Sequence, residues 1–466
     1  MMPTMRKTAF APTEELKVLD EGASSDRTIV LSPTQAFAGQ SSGGTVLPNR
    51  LVFQYNSPAE RAFVDLSKSL VRLRMQFASN AGITTQLDAE SGDGKQNNAV
   101  SRFGAANMFE RCTLRIANRE IENCLDHPQA TSMMYQATKT RSWLETAGSL
   151  IWAQPADEDR AVTDNQAPTD SNGSPVVYDL WFKPAVSLFH ESKLIRSGGA
   201  IFELSFDRRA DWAQGMMVNL GLPDADGLPV PGADKIVSEV DTDFFVKVLS
   251  AEWHINELYP EEGEPMAEFD VVDASQLSII RANLDAAGTI TKEVVIPPAA
   301  FKFLGGYQDE DAASDGTSQL ADFVPKNAQT FRVEWSGQQL PSTPYDLDFK
   351  NGPVSRAYMD FLKAIGQFNG PMAGAGASID QAEWTDRSTI YGFPLVSRSG
   401  AKSTNLRVRA TFDTTGDDAP TAGDQLIIGI ASPLRVFLSY DASGRMTSVD
   451  VAESEADEAD ITMGRA

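Results

Sequence analysis

Three histidines, two cysteines and 64 acidic residues are the groups of this 466-residue chain that could do chemistry. A serine nucleophile needs a base in hydrogen-bond reach and a third group to orient that base. Ser192, His190 and Glu191 are close in sequence, but neighbours on an extended chain point to opposite faces, so closeness alone builds no relay. His127, His190 and His254 are read as satisfied or exposed side chains rather than bases. The G-x-S-x-G turn is absent, and Gly400-Ala401-Lys402-Ser403 lacks the upstream glycine of a phosphate loop. Two carboxylates could split a glycosidic bond, yet at this density chance pairs are expected. The loops Asp309-Glu310-Asp311 and Asp441-Ala442-Ser443-Gly444 lack the full oxygen set of a calcium loop and read as solvated. Asn172-Gly173-Ser174 is a glycosylation sequon that matters only on a secretory route. No catalytic, cofactor-binding or metal-ligating residue is assigned, and the expectation is a protein that is not an enzyme and carries no cofactor.

The cysteines fit that expectation. Cys112 and Cys124 bracket CTLRIANREIENC, which reads as a hairpin turning near Asn118–Arg119. A two-residue turn there sets Cys124 opposite Thr113, and one residue more sets the two cysteines opposite each other. Reduced, half-buried thiols are expected, since two cysteines alone make no zinc site and neither H-E-x-x-H nor a paired C-x-x-C occurs.

The elements that would have to position such groups follow one rule. Val71-Arg72-Leu73-Arg74-Met75-Gln76-Phe77 alternates apolar and polar, as do Leu51–Tyr55, Phe331–Trp335 and Leu406–Phe412. A period of two marks half-buried antiparallel strands. Cys112–Ala117, Val176–Lys183, Ala200–Phe206, Phe244–Leu258, Val436–Tyr440 and Thr447–Val451 read as further strands. Leu426–Ala431 is apolar almost throughout, as a strand buried on both faces would be. Helical spacing is rare. Gln129–Trp143 follows His127-Pro128, and Ser355–Phe368 carries Ala357, Phe361, Leu362, Ile365 and Phe368 as one stripe.

Length exceeds what one core fills, so two domains are expected. Residues 1–45 read as an N-terminal arm, 46–213 as a first sandwich and 214–240, broken by proline and glycine, as a linker. A second sandwich over 241–451 and an acidic tail over 452–466 complete the division. Both halves run strand, tight turn, strand, then helix, so the chain reads as mainly β: two tandem eight-stranded sandwiches with short helices in the connections. A net charge of −24 argues against direct nucleic-acid binding. The N-terminus has two early cations and no apolar core of a signal peptide, so a cytosol-like compartment is expected.

The succession of Leu51–Met75, Asn97–Ile121, Leu188–Phe206 and Asp424–Val451 resembles the double jelly-roll major capsid proteins of the adenovirus, tectivirus, virophage and Polinton-like lineage. Phe63-Val64-Asp65-Leu66 before a long alternating strand and Ser432-Pro433 at a break in the closing hairpin are among the features that carry it. Asp241–Leu304 departs from the pattern. The resemblance implies two jelly rolls per chain and hexon-like, pseudo-hexagonal homotrimers tiling an icosahedral shell. It also implies neighbouring capsomers, penton and minor capsid proteins as partners, and an internal membrane met through the N-terminal arm. A virion location follows, with assembly in the host cytoplasm, or the nucleus of a eukaryotic host. Ser79–Asn98, Trp152–Pro175 and Tyr307–Ala328 are expected as outer loops. The rival expectation is a secreted carbohydrate-binding or carbohydrate-cleaving sandwich, which calls for a signal peptide and an exposed aromatic platform.

Overall fold

The computed structural model describes residues 25–35, 47–56, 62–79, 98–151, 177–191, 193–210, 212–219, 244–259, 269–284, 288–297, 299–309, 320–349, 352, 354–368, 379–396, 404–415 and 419–452. The linker from 220 on, the tail from 453, the sequon and Gly400–Ser403 lie outside them. So do most of the arm, Ser192 and much of the expected outer loops.

The alternating segments become strands. In chain order these are β1 (Ser25–Leu31), β2 (Arg50–Asn56), β3 (Phe63–Ser79), β4 (Asn98–Val100), β5 (Phe109–Ile116), β6 (Arg119–Leu125), β7 (Val177–Phe182), β8 (Leu194–Arg196), β9 (Ile201–Arg208), β10 (Met217–Asn219) and β11 (Phe244–Tyr259). The series continues with β12 (Phe269–Asn283), β13 (Thr289–Val295), β14 (Lys302–Gln308), β15 (Ala328–Trp335), β16 (Gln338–Leu340), β17 (Tyr391–Pro394), β18 (Asn405–Phe412), β19 (Gln425–Tyr440) and β20 (Met446–Ala452).

Their pairing shows a duplication. The sheet β2-β9-β5-β6 recurs as β13-β18-β15-β16, and β1-β11-β3-β7 recurs as β12-β19-β14-β17. Each sandwich therefore has eight equivalent strands, with β8 added to β3 and β20 to β19. One parity of each strand is buried: Val71, Leu73 and Met75 in β3, Phe202, Leu204 and Phe206 in β9, Leu406, Val408 and Ala410 in β18. Stacked rings fill the second core, with Phe331 and Tyr391 centroids 4.0 Å apart.

Three sequence expectations are corrected. First, β11 pairs with β3 along its length and with β1, so Phe244–Tyr259 closes the first sandwich and the second begins only at β12. The change from one sandwich to the other among the described strands therefore falls between β11 and β12, not at 214–240. Proline and glycine mark where regular structure stops, but not which sheet the next strand joins. This also accounts for the departure at Asp241–Leu304. Second, the arm contributes β1, an edge strand of the first sandwich. Third, β19 runs unbroken through Ser432-Pro433: Pro433 pairs in register with Ser275 and is exposed. Of the expected loop Tyr307–Ala328, Tyr307, Leu320, Ala321 and Phe323 are buried.

The hairpin β5–β6 turns at Ala117-Asn118, both at positive φ, and the equivalent β15–β16 turns at Ser336-Gly337 likewise. A bulge leaves Ile121 unpaired and shifts the register by one, which places Cys112 opposite Cys124. Both thiols are free and fully buried rather than half-buried, and burial raises their pKa well above the ordinary thiol range.

Candidate functional site

Among the described residues, none of those screened for chemistry forms a reactive constellation. His127 is buried, with Nδ1 3.1 Å from the Ala106 carbonyl and Nε2 accepting the Ala185 N–H at 3.1 Å. Both ring nitrogens are engaged, which fixes a neutral tautomer with Nδ1 donating, and burial lowers its pKa to about 4. His190 Nε2 sits 3.0 Å from the Pro184 carbonyl, and burial again pushes the pKa well down. His254 Nε2 is 3.0 Å from Glu252 on an outer sheet face. Asp441 turns inward on its own loop, accepting from the Ser443 and Arg445 amides at 2.9 and 3.0 Å, while Asp309 pairs with Lys326. Among the described residues no group of His, Cys, Asp and Glu converges to hold a metal ion.

Polar side chains converge instead where the two sandwiches meet. The helix His127–Thr138 starts with proline in its first turn and is buried on nearly every side, because it lies between its own core and the second sandwich. Its outward residues reach the face formed by β12, β19 and β14. The Gln129 amide donates to Gln308 at 2.9 Å, Ser132 Oγ donates to the Ala321 carbonyl, and Asp126, the residue just before the helix, pairs with Arg281. Met133 packs over Gly429, where an added Cβ would lie 2.7 Å from its sulfur. This contact explains why Leu426–Ala431 is apolar on both parities: Leu426, Ile428 and Ile430 face their own core, and Ile427, Gly429 and Ala431 face the first sandwich.

Two buried arginines complete the junction. The Arg102 guanidinium lies 3.2 Å from Glu383 and donates to Ser388 Oγ at 3.0 Å, across 286 residues of sequence. Arg196 lies over the Tyr440 ring at 3.4 Å, and Tyr440 Oη donates back to the Arg196 carbonyl at 3.0 Å. Burial raises Asp270 to about 6 and Asp322 to about 7, against the opposing pull of Arg196 on the first and of Arg102 and Arg387 on the second. Arg141–Asp380 at 2.9 Å and Gln367 to the Lys139 carbonyl at 2.9 Å close the rim. Sequence reading missed every one of these contacts. A buried arginine leaves no local signal when its partner is hundreds of residues away. Chemically, the arrangement can fix two sandwiches against each other; it presents no nucleophile and base to a substrate.

Known structures share this fold. The Sputnik virophage structure from cryo-electron microscopy superimposes with a TM-score of 0.56 at 12% identity, over 94% of this chain and 90% of that one. The quasi-atomic PBCV-1 virus capsid gives 0.54 at 9% identity, over 93% and 97%. The mavirus major capsid protein gives 0.51 at 11% identity, over 93% and 91%. The fold is a double jelly roll. No protein-family model and no curated protein matches the sequence. The double jelly roll expected from the succession of sequence segments is therefore established here by shape across nearly the whole chain, at identities of 9–12%. The same fold occurs in the faustovirus major capsid protein, which gives 0.50 at 10% identity.

Proposed function

We propose that the chain is a structural, non-enzymatic major capsid protein that forms homotrimers, and that these pseudo-hexagonal tiles cover an icosahedral virion. The observation that carries the reading is the strand-for-strand duplication, in the fold of the mavirus and faustovirus major capsid proteins, with the halves locked by a buried junction. Three chains of two equivalent sandwiches give six, which approximates the sixfold outline a flat facet packs best. Neighbouring capsomers, penton and minor capsid proteins are the expected partners. The acidic surface favours protein contacts over nucleic acid. No observation favours the carbohydrate-binding alternative: among the described residues Trp253, Trp335 and Trp384 are core, and the exposed large aromatics are Phe301 and Phe368.

Size-exclusion chromatography with light scattering on the 50.5 kDa chain tests the reading. A mass near three times the monomer supports it, and a stable monomer at micromolar concentration contradicts it. The arm refines the test. Since β1 belongs to the first sandwich, only residues 1–24 can be removed without stripping a sheet edge. That truncation is expected to leave trimers intact and abolish shells; shells from the truncated chain would refute a role for the arm in linking tiles or meeting a membrane.

A further inference from the structure

The chain has two cysteines in 466 residues, and the fold makes them register partners: Cys112 on β5 stands directly opposite Cys124 on β6. That pairing depends on the bulge. Continued from the Ala117-Asn118 turn without the extra residue Ile121, the register would set Cys124 opposite Arg111 and turn the two sulfurs to opposite faces of the ribbon. With the bulge, both side chains point into the first core. Cys112 continues the buried row of Leu114 and Ile116 on β5, and Cys124 lies in line with the buried Glu122 on β6.

Directly opposed residues of antiparallel strands hold their Cα atoms about 4.5–5.5 Å apart, within the span of about 4.4–6.8 Å that a disulfide bridges. Two small apolar side chains would fill the same volume, so packing alone does not call for cysteine at both positions. Among the described residues no group of His, Cys, Asp and Glu converges to hold a metal ion, which leaves the pair without a metal to share. Cys124 Sγ makes a weak donation to the Leu125 carbonyl at 3.4 Å, a bond that little opposes losing.

We propose that Cys112 and Cys124 are an intrachain disulfide site, closed by a small-molecule disulfide such as oxidised glutathione. The Cys124 thiolate attacks one sulfur of the oxidant and expels one thiolate; Cys112 then displaces the second from the mixed disulfide. Two electrons pass from the chain to the oxidant, and the protons of both cysteines end on the two released thiols. Cys124 reacts first because β6 is the edge of its sheet, whereas Cys112 lies between β6 and β9. Burial keeps both thiols protonated, so the folded pair reacts slowly and stays reduced in a reducing compartment. The bridge ties β6 to β5 just before Asp126, which pairs with Arg281 of the second sandwich, and before the helix His127–Thr138. It therefore staples the strand that leads into the junction, and it removes conformations from the unfolded chain.

The test uses the full chain, purified with its thiols reduced and then held with oxidised glutathione just below its melting temperature, where the edge strand opens. Alkylation in denaturant and peptide mass spectrometry read the cysteines. A linked pair of peptides carrying Cys112 and Cys124, two hydrogens lighter than the reduced pair, with a higher melting temperature that dithiothreitol reverses, supports the site. Two alkylated cysteines, a lasting glutathione adduct on either one, or a bridged chain that melts no higher overturns it. Cys124→Ser, which cannot bridge, separates the staple from any other effect of the oxidant: its melting temperature is expected not to move, and a rise equal to that of the wild type would also overturn the site.

Discussion

The two equivalent outer sheet faces of this molecule have opposite characters. On the second sandwich, Ile427, Gly429, Ala431 and Leu304 line a face that is apolar and covered by the helix His127–Thr138. On the first, the matching face of β11, β3 and β7 carries Arg72, Arg74, Glu252, His254, Asp179 and Trp181 and lies open. Arg72 bridges Asp179 at 2.6 Å and Glu252 at 3.2 Å there. The same strands in the same order thus hold an internal junction in one copy and a solvated ion network in the other. Topology fixes where a face is; side chains decide whether it is buried. Each large aliphatic side chain buried on the covered face contributes about 1.5–3 kcal/mol, whereas an exposed ion pair contributes about 0–1 kcal/mol.

Substitutions on the two faces should therefore separate widely. The largest effect is expected from Met133→Asp, which places an unpaired carboxylate against Gly429 in the apolar part of the junction; a loss of about 4 kcal/mol or more in urea unfolding is expected. A loss below about 1 kcal/mol would show that the helix does not cover that face. Next comes Arg102→Met, which strands Glu383 in the seam and is expected to cost about 3 kcal/mol, against less than about 1 kcal/mol for Arg72→Met on the open face. Equal costs would remove the distinction.

A pH series sharpens the comparison at the helix itself. The folded pKa of His127 is about 4, below the ordinary 6.5, so between those values the unfolded chain holds a proton that the folded chain lacks. Stability from this group is full above pH 6.5, falls as pH drops toward 4, and levels below it, a loss of about 3 kcal/mol. Asp322, raised to about 7 by burial, acts with the opposite sign, losing stability as pH rises from about 4 toward 7. The difference between wild type and His127→Asn isolates the histidine: urea midpoints of the variant should fall less on acidification, and parallel curves would reject the assignment. The smallest effect is expected at Val30→Asp, on an exposed position of the open face, within about 0.5 kcal/mol by the same unfolding assay.

Local pattern was legible in the sequence and long-range pairing was not. Alternation at Val71–Phe77 and Leu406–Phe412 identified strands because burying one face of a sheet imposes a period of two. The unbroken apolar run Leu426–Ala431 correctly implied two covered faces, but not that Met133, almost three hundred residues earlier, supplies one cover. The sequence places the strand Phe244–Leu258 in the second sandwich, whereas β11 belongs to the first, because its pairing with β3 is written in hydrogen bonds between distant segments. The bulge at Ile121, which sets the cysteines opposite each other, is a one-residue register choice that alternation does not encode. Arg102 and Arg196 look like any surface arginine until Glu383 and Tyr440 are brought to them.

Electron-microscope class averages of the purified full chain test the central claim most directly. Six sandwich-sized densities around a threefold axis are the predicted result. Two-lobed particles, each a single chain, would contradict it.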